Sequence, residues 1–459
     1  RTGDTGAFGQ KNAEYAGLRF TPNSAADGSA YSFFWNLFEV TKDPALVQAM
    51  YLSNGSKLDG LPHDLFGGDP ESFQANVKSV VDREGAQIEL GSVNKQNWRL
   101  AVLRSGDGAY RRALWIDYDS SGGHGHFDGM NIGLFAKGLD LVPDFGYPPV
   151  GYGGWGAPRA TWYRNTASHA TVVVDGKNQS TANGKTTLWA DSAGFHAIGV
   201  SCPEMVGGEA YERTVALIDL DAHDSYIVDC FRVKGGTDHA KFFGSSFGTI
   251  TTNGLTLADA PDFGGDTQMR AFKSDPAPKP GWSVDWKIED KYDYIADGRD
   301  VRIKYTDLTQ DAEASICEAW VDTGIYGEAS QWVPRVMVRR KTENAPLDST
   351  FVSVIEPYET ASKIASIRRI ELGHDTAIGI EVARADGKSD LVILNRVGAA
   401  APVTIPAREL STDAELACVT FGPEVVETVR AANAGSVTIG QLNLKPGSDN
   451  RSIDWTRQR

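Results

Sequence analysis

The pattern of apolar and polar positions changes character once along this chain, near residue 90. Before it, Phe34, Leu37 and Phe38 in YSFFWNLFEV recur at helical spacing. Asp43-Pro44 then opens a second helix through ALVQAMYL, with the proline suited to a first helical turn. Two or three helices of this length form an incomplete unit that must pack on something else. From about Gln87 the period drops to two. QIELGSV, WRLAVLRS, RALWIDYD and MNIGLFAKG alternate, or run apolar, between Gly- and Asp-rich turns. ATVVVDGKNQ ends in an Asp-Gly hairpin signal, and DSYIVDCFRVKGG ends in a Gly235-Gly236 one. RVMVRRK, FVSVIEPY, DLVILNR and SVTIGQLNL continue the theme. The pattern predicts a mainly β chain. Helices occupy 1–90, a large antiparallel β-sandwich 91–384, and a smaller C-terminal β unit 385–459.

Composition adjusts this picture in three places. The 41% hydrophobic and 23% charged fractions are those of a globular chain, and 459 residues exceed one usual domain. The net charge of −15 argues against nucleic acid as a partner, because a phosphate backbone calls for a basic face. An acidic substrate would need a locally basic groove against that field. Cys202, Cys230, Cys317 and Cys418 form no CxxC pair, so neither a zinc cluster nor a dense disulfide framework is expected. Both buried free thiols and one or two disulfides remain open. No run approaches the roughly 18 apolar residues of a membrane span. The chain opens at Arg1 in RTGDTGAFGQ, read as a mature, cleaved or trimmed start.

The most informative stretch is SSGGHGHFDGMNIGLFAKGLDLVPDFGYP. His124 and His126 stand at i and i+2, which on a strand puts both imidazoles on one face. Asp144 sits at a strand end between Pro143 and Phe145-Gly146, and His169 opens the strand in TASHATVVVDG. Two histidines and a carboxylate on neighbouring strands can make a three-ligand zinc site with its fourth position open or water-filled. Each of these residues alone is equally at home as a core histidine or a turn aspartate. Between Asp144 and His169 runs YPPVGYGGWGAPRATWYRNT. Tyr147, Tyr152 and Tyr163 are candidate proton-transfer groups, Tyr163 first because Arg164 neighbours it. Arg159 and Arg164 can fork onto a carboxylate or sulfate. Trp155 and Trp162 can stack on sugar rings, or Trp162 and Tyr163 can be core residues beneath the loop. No GxSxG elbow and no phosphate-binding glycine loop is present.

The HGH-x-D element, the strand after it, the D-x-G turn and the later His before TVVVDG resemble the heparinase II/III-like family. That family includes heparin, heparan sulfate and alginate lyases. The resemblance runs over roughly residues 87–380, and VRRKTENAPLDSTFVSVIEPYE is similar to the family's later sheet. It implies His126, Asp144 and His169 as ligands of one structural zinc ion, and His124 as the imidazole facing substrate. It implies a Tyr for proton transfer, and the loop's residue types offer Tyr163 or Tyr152 for it, with Arg159, Arg164, Trp155 and Tyr147 to bind substrate. The implied activity is β-elimination on a uronate-containing, perhaps sulfated, polysaccharide. The same proton abstraction can instead end in C5 epimerisation. A chain that kept only the sheet and the zinc would be a non-catalytic glycan-binding module. An open zinc that activates water would make a hydrolase, a weaker fourth reading. The family's (α/α) toroid is represented only by the helices in 1–90. The rest would come from a separate N-terminal part or a homodimer partner. The family's usual place implies a periplasmic or secreted protein.

Overall fold

The computed structural model describes residues 8–9, 28–62, 69–88, 90–120, 125–324, 329–372, 377–396, 402–447 and 451–458. His124 lies outside the described residues, as do His63, His374 and the GDTG at 3–6. The chain divides into two compact units, residues 11–91 and residues 92–459 joined by 1–10.

Among its described residues the smaller unit holds three helices, α1 (Gly28–Thr41), α2 (Pro44–Ser53) and α3 (Pro70–Glu84). Asp43 and Asp69 cap the second and third, each accepting a backbone N–H two residues on (3.0 Å in both), with Pro in the first turn. Tyr31, Phe38, Val47, Met50, Leu61, Val77 and Val80 form its core. Phe33 and Val40 stay 61% and 82% exposed on α1, so that helix carries more apolar surface than its neighbours cover.

The larger unit is built of antiparallel sheets. A five-stranded, an eight-stranded and a six-stranded sheet share one core that includes Leu134, Ile227, Trp286, Phe351, Phe243 and Val338. Among the described residues after 90, helical structure shrinks to Pro158–Tyr163 and short turns, as the loss of helical period predicts. Asp175 and Gly176 both take left-handed backbone (φ 51° and 66°) and turn the chain back on itself at Val174 and Lys177. Gly235-Gly236 does something else. The strand Ser225–Lys234 lies in the eight-stranded sheet, whereas Asp238–Gly244 lies in the six-stranded one. The two glycines therefore make a crossover between layers, not a hairpin.

The predicted boundary at 384 falls between Ala377–Arg384 and Ser389–Asn395, which pair in one sheet. That sheet starts earlier, at Ile364–Ile370, and ends at Ile453–Thr456. One of its faces packs on the eight-stranded sheet through Val228, Val352, Ile380 and Val382, and the other covers a small four-stranded sheet. All four cysteines are buried free thiols.

At the centre, Arg213 on Ala210–Asp219 makes a bidentate pair with Asp229 on Ser225–Lys234, both contacts 2.8 Å. Lys241 adds a third charge 2.7 Å from Asp229, and all three side chains are buried. Burial alone would raise the Asp229 carboxyl, but the two cations overcome it and hold the group well below the usual carboxylate range. Replacing Asp229 by Asn or Ala strands two buried cations, and should cost about 3–5 kcal/mol in urea unfolding. Because the folded pKa is depressed, this contribution is complete above the unfolded value of about 3.9 and fades as pH falls through the lower folded one. Stability measured against pH should thus decline below about pH 4 more steeply in the wild type than in Asp229→Asn.

Candidate metal centre and the loop beside it

Asp144 follows the strand Leu139–Val142, and its Oδ1 accepts the Phe145 N–H (2.8 Å) and the Asn131 side-chain amide (3.2 Å). His169 follows a short turn, Thr166–Ser168, capped by the Asn165 side chain. Its Nδ1 donates to the Asn165 carbonyl at 3.0 Å, which leaves Nε2 as a bare lone pair. That lone pair faces His126 Nδ1 at 3.3 Å and Asp144 Oδ1 at 3.4 Å. All three side chains are buried. Burial pushes both imidazoles down, to about 3 for His126 and about 3 for His169, so both are neutral at neutral pH. His169 Nε2 and the Asp144 oxygen are then two acceptors in van der Waals range, an arrangement that repels. A cation between them converts that repulsion to attraction. Zinc bonds of about 2.0–2.1 Å at tetrahedral angles give ligand–ligand edges of about 3.3 Å, the spacing of the two contacts that His169 makes with His126 and Asp144. Those two contacts fit the metal that the motif implies.

Asp128 belongs beside them. His126, Asp128 and His169 each offer a donor atom within 4.8 Å of the others. Burial, followed by Asp144, pushes the Asp128 carboxyl well above its usual range. The sequence signal was the third residue type of the HGH-x-D element, to which the spacing argument gave no role.

Asn131 ties the cluster together. While its amide donates to Asp144, its Oδ1 accepts the Ala170 N–H at 2.9 Å, next to His169. Arg213 reaches the same two segments from below, donating to the carbonyls of Met130 and Ala170 at 2.5 Å each.

The loop residues divide into two groups. Trp162 and Tyr163 are core. Trp162 Nε1 donates to the Trp320 carbonyl (2.9 Å), and the Tyr163 hydroxyl accepts the Asp322 N–H (2.6 Å). Tyr163 is packed against Phe145 and Trp320, and burial pushes its hydroxyl well above its usual value. The structure thus corrects its ranking as first candidate for proton transfer, because its hydroxyl is spent on backbone and has no open face. The others are at least partly exposed. Trp155 is 50% exposed, with Tyr147 against it edge-on (centroids 5.6 Å). Tyr152 is half-buried, with its hydroxyl 3.4 Å from Asp322 Oδ1. The Arg159 guanidinium lies 4.7 Å from the Tyr152 ring and 4.6 Å from the Trp320 ring. No ion pair or hydrogen bond engages Arg159 among the described residues. Arg164 donates to the Gly125 carbonyl (3.2 Å), and its own carbonyl accepts the Phe127 N–H, which fastens the loop to the His126 segment.

Residues 96–235 match the family model described as heparinase II/III-like, C-terminal, so the recognition made from the motifs holds over that segment. The cluster and the whole loop fall within it. The chain is similar to an exo-oligoalginate lyase of Saccharophagus degradans, 32% identical over 148 residues, covering 30% of this chain and 19% of that one. In fold it is similar to the heparan sulfate lyase HepC of Pedobacter heparinus (TM-score 0.55, 16% identity, 86% of this chain and 50% of that one). It is likewise similar to heparinase III (TM-score 0.54, 12% identity, the same coverage). The chain therefore spans about half the length of these solved lyases and a fifth of the curated relative.

Asn131→Ala removes one fixed contact from Asp144 and one from the backbone beside His169. Zinc affinity, read by competition with a chromophoric chelator, should fall about 10- to 100-fold while the fold persists by circular dichroism.

Proposed function

We propose that this chain is the β part of a polysaccharide lyase that cleaves a uronate-containing glycan by β-elimination, with one structural zinc ion held by His126, Asp144 and His169. One observation carries the reading. Within the segment matched by the family model, a buried histidine–aspartate cluster stands beside a loop that presents tyrosine, tryptophan and an uncommitted arginine. The relative with 32% identity is named as acting on oligoalginate, so an unsulfated oligouronate is the first substrate to test.

The chemistry asks for a base, an acid and a neutralising charge. A base removes the proton at C5, next to the carboxylate. The electron pair forms the C4=C5 double bond, the C4–O bond breaks, and an acid protonates the departing oxygen. Charge gathering on the carboxylate must be offset as the enolate develops. Arg159 suits that last task or substrate binding. Its guanidinium lies close to two rings and is free of acid partners among the described residues. Such a cation also supplies the local positive charge that an acidic chain needs to hold a polyanion. Tyr152, beneath Arg159, takes the acid or base role in place of Tyr163, and His124 assists at the uronate. Tyr147, Trp155 and Arg164 line the sugar path. The zinc, when bound, holds the three segments in register and neutralises buried charge. The family's usual place supports a periplasmic or extracellular setting, and the remaining toroid groups would come from a further helical part or a partner copy.

The test is a panel of alginate oligosaccharides, heparan sulfate, heparin, chondroitin and ulvan, read by the ultraviolet absorbance of unsaturated uronate. The expected result is signal on one glycan, lost in His124→Ala and lowered about 10²- to 10⁴-fold in Tyr152→Phe. Arg159→Gln should raise KM more than it lowers kcat if the residue only binds. Absorbance that stays flat while solvent deuterium enters C5 would replace the lyase by an epimerase. No exchange and no absorbance, with glycan binding retained, would make the chain a binding module.

A further inference from the structure

We propose that Asp128 is the fourth protein ligand of the metal, so that the coordination shell is closed by side chains and carries no reactive water. The inference rests on the metal reading above and goes beyond its three ligands.

The first support is position. A donor atom of Asp128 lies within 4.8 Å of donors on both His126 and His169. To reach a tetrahedral edge of about 3.3 Å it must close by at most about 1.5 Å.

The second is anchorage. The Asp128 carbonyl accepts the Asn131 N–H at 2.8 Å. The next carbonyl, of Gly129, accepts both the Thr171 hydroxyl and the Gln179 amide at 2.8 Å. Gly129 itself has no room for a side chain, since a Cβ there would stand 2.4 Å from Met205 Sδ. Met130 follows in left-handed backbone (φ 65°), with its carbonyl on Arg213. The backbone around Asp128 is thus fixed on both sides, and its side chain is buried.

The third is charge. No lysine or arginine pairs with Asp128 among the described residues, and the ionisable groups around it include the carboxyls of Asp144, Asp117 and Asp119. A buried carboxylate among carboxylates is costly unless a cation or a proton compensates it. One divalent ion between Asp128 and Asp144, with two neutral imidazoles, makes a shell of zero net charge. Closed shells of this kind are those of structural metal sites, whereas a catalytic site keeps a position for water.

The experiment uses the whole chain loaded with Co²⁺, which takes zinc sites and reports its own coordination in visible absorption. Wild-type protein should bind one equivalent, show the intense bands of four-coordinate cobalt, and keep that spectrum unchanged from neutral to alkaline pH. A bound water would ionise near pH of about 7 and shift the bands, which would overturn the proposal. Asp128→Asn preserves shape, and its affinity for Zn²⁺ should drop at least about 100-fold, with weaker cobalt bands. Wild-type affinity and spectrum in that variant would equally overturn it while leaving the three-ligand site standing. Absence of any metal uptake by the wild type would sink the metal reading itself, and this inference with it.

Discussion

A guanidinium with no exposed surface holds this molecule's layers and its candidate site in one piece. Arg213 spends two N–H groups on Asp229 within the eight-stranded sheet, and aims Nη1 at the Met130 and Ala170 carbonyls. Those carbonyls follow Asp128 and His169 by two residues and one. Burying such a charge is unfavourable unless every donor finds a partner, so the geometry tolerates little slack. The segments that carry the cluster are therefore fixed by the same interaction that knits the central hairpin. Lys241, reaching from the six-stranded sheet, extends that fixture across the sandwich.

The cluster and the loop depend on this rigidity in different ways. His126, Asp144 and His169 bring polar atoms together in a dry interior, where a proton shared between the two rings or a bound cation would compensate them. The loop is pinned beneath by Trp162 and Tyr163 and above by the stacking of Arg159. Its outward groups are consequently presented by a packed base rather than by a free excursion of chain. A sugar chain that docks there meets side chains whose ordering entropy is already spent.

Much of this was legible in the residues themselves. The loss of helical period at residue 90 and the Asp175-Gly176 turn follow from local rules of backbone and spacing, whereas His126, Asp144 and His169 come together as one set only through the motif's resemblance to the family. What escaped depends on distant partners. Tyr163 reads as a reactive tyrosine until Trp320 and Asp322, far along the chain, cover it. Gly235-Gly236 reads as a hairpin until the strands on either side are seen to pair with different neighbours. The sheet beginning at Ile364 hides its start because its strands alternate just as those of the sandwich do. Asp128 was quoted within a motif, but only its three-dimensional neighbours give it a task.

The Gly235-Gly236 crossover also bears on how the chain finds its fold. Lys234 leaves one layer and Asp238 enters the other across three residues, so two facing sheets are linked by an almost minimal tether. Closing so short a loop costs little entropy, whereas pairing Asp238–Gly244 with Ser330–Lys341 must span about a hundred residues. Asp238–Gly244 also pairs with Val172–Val174, so the tether leads from one layer straight into a strand whose nearer partner comes before it in the chain and whose farther partner comes after.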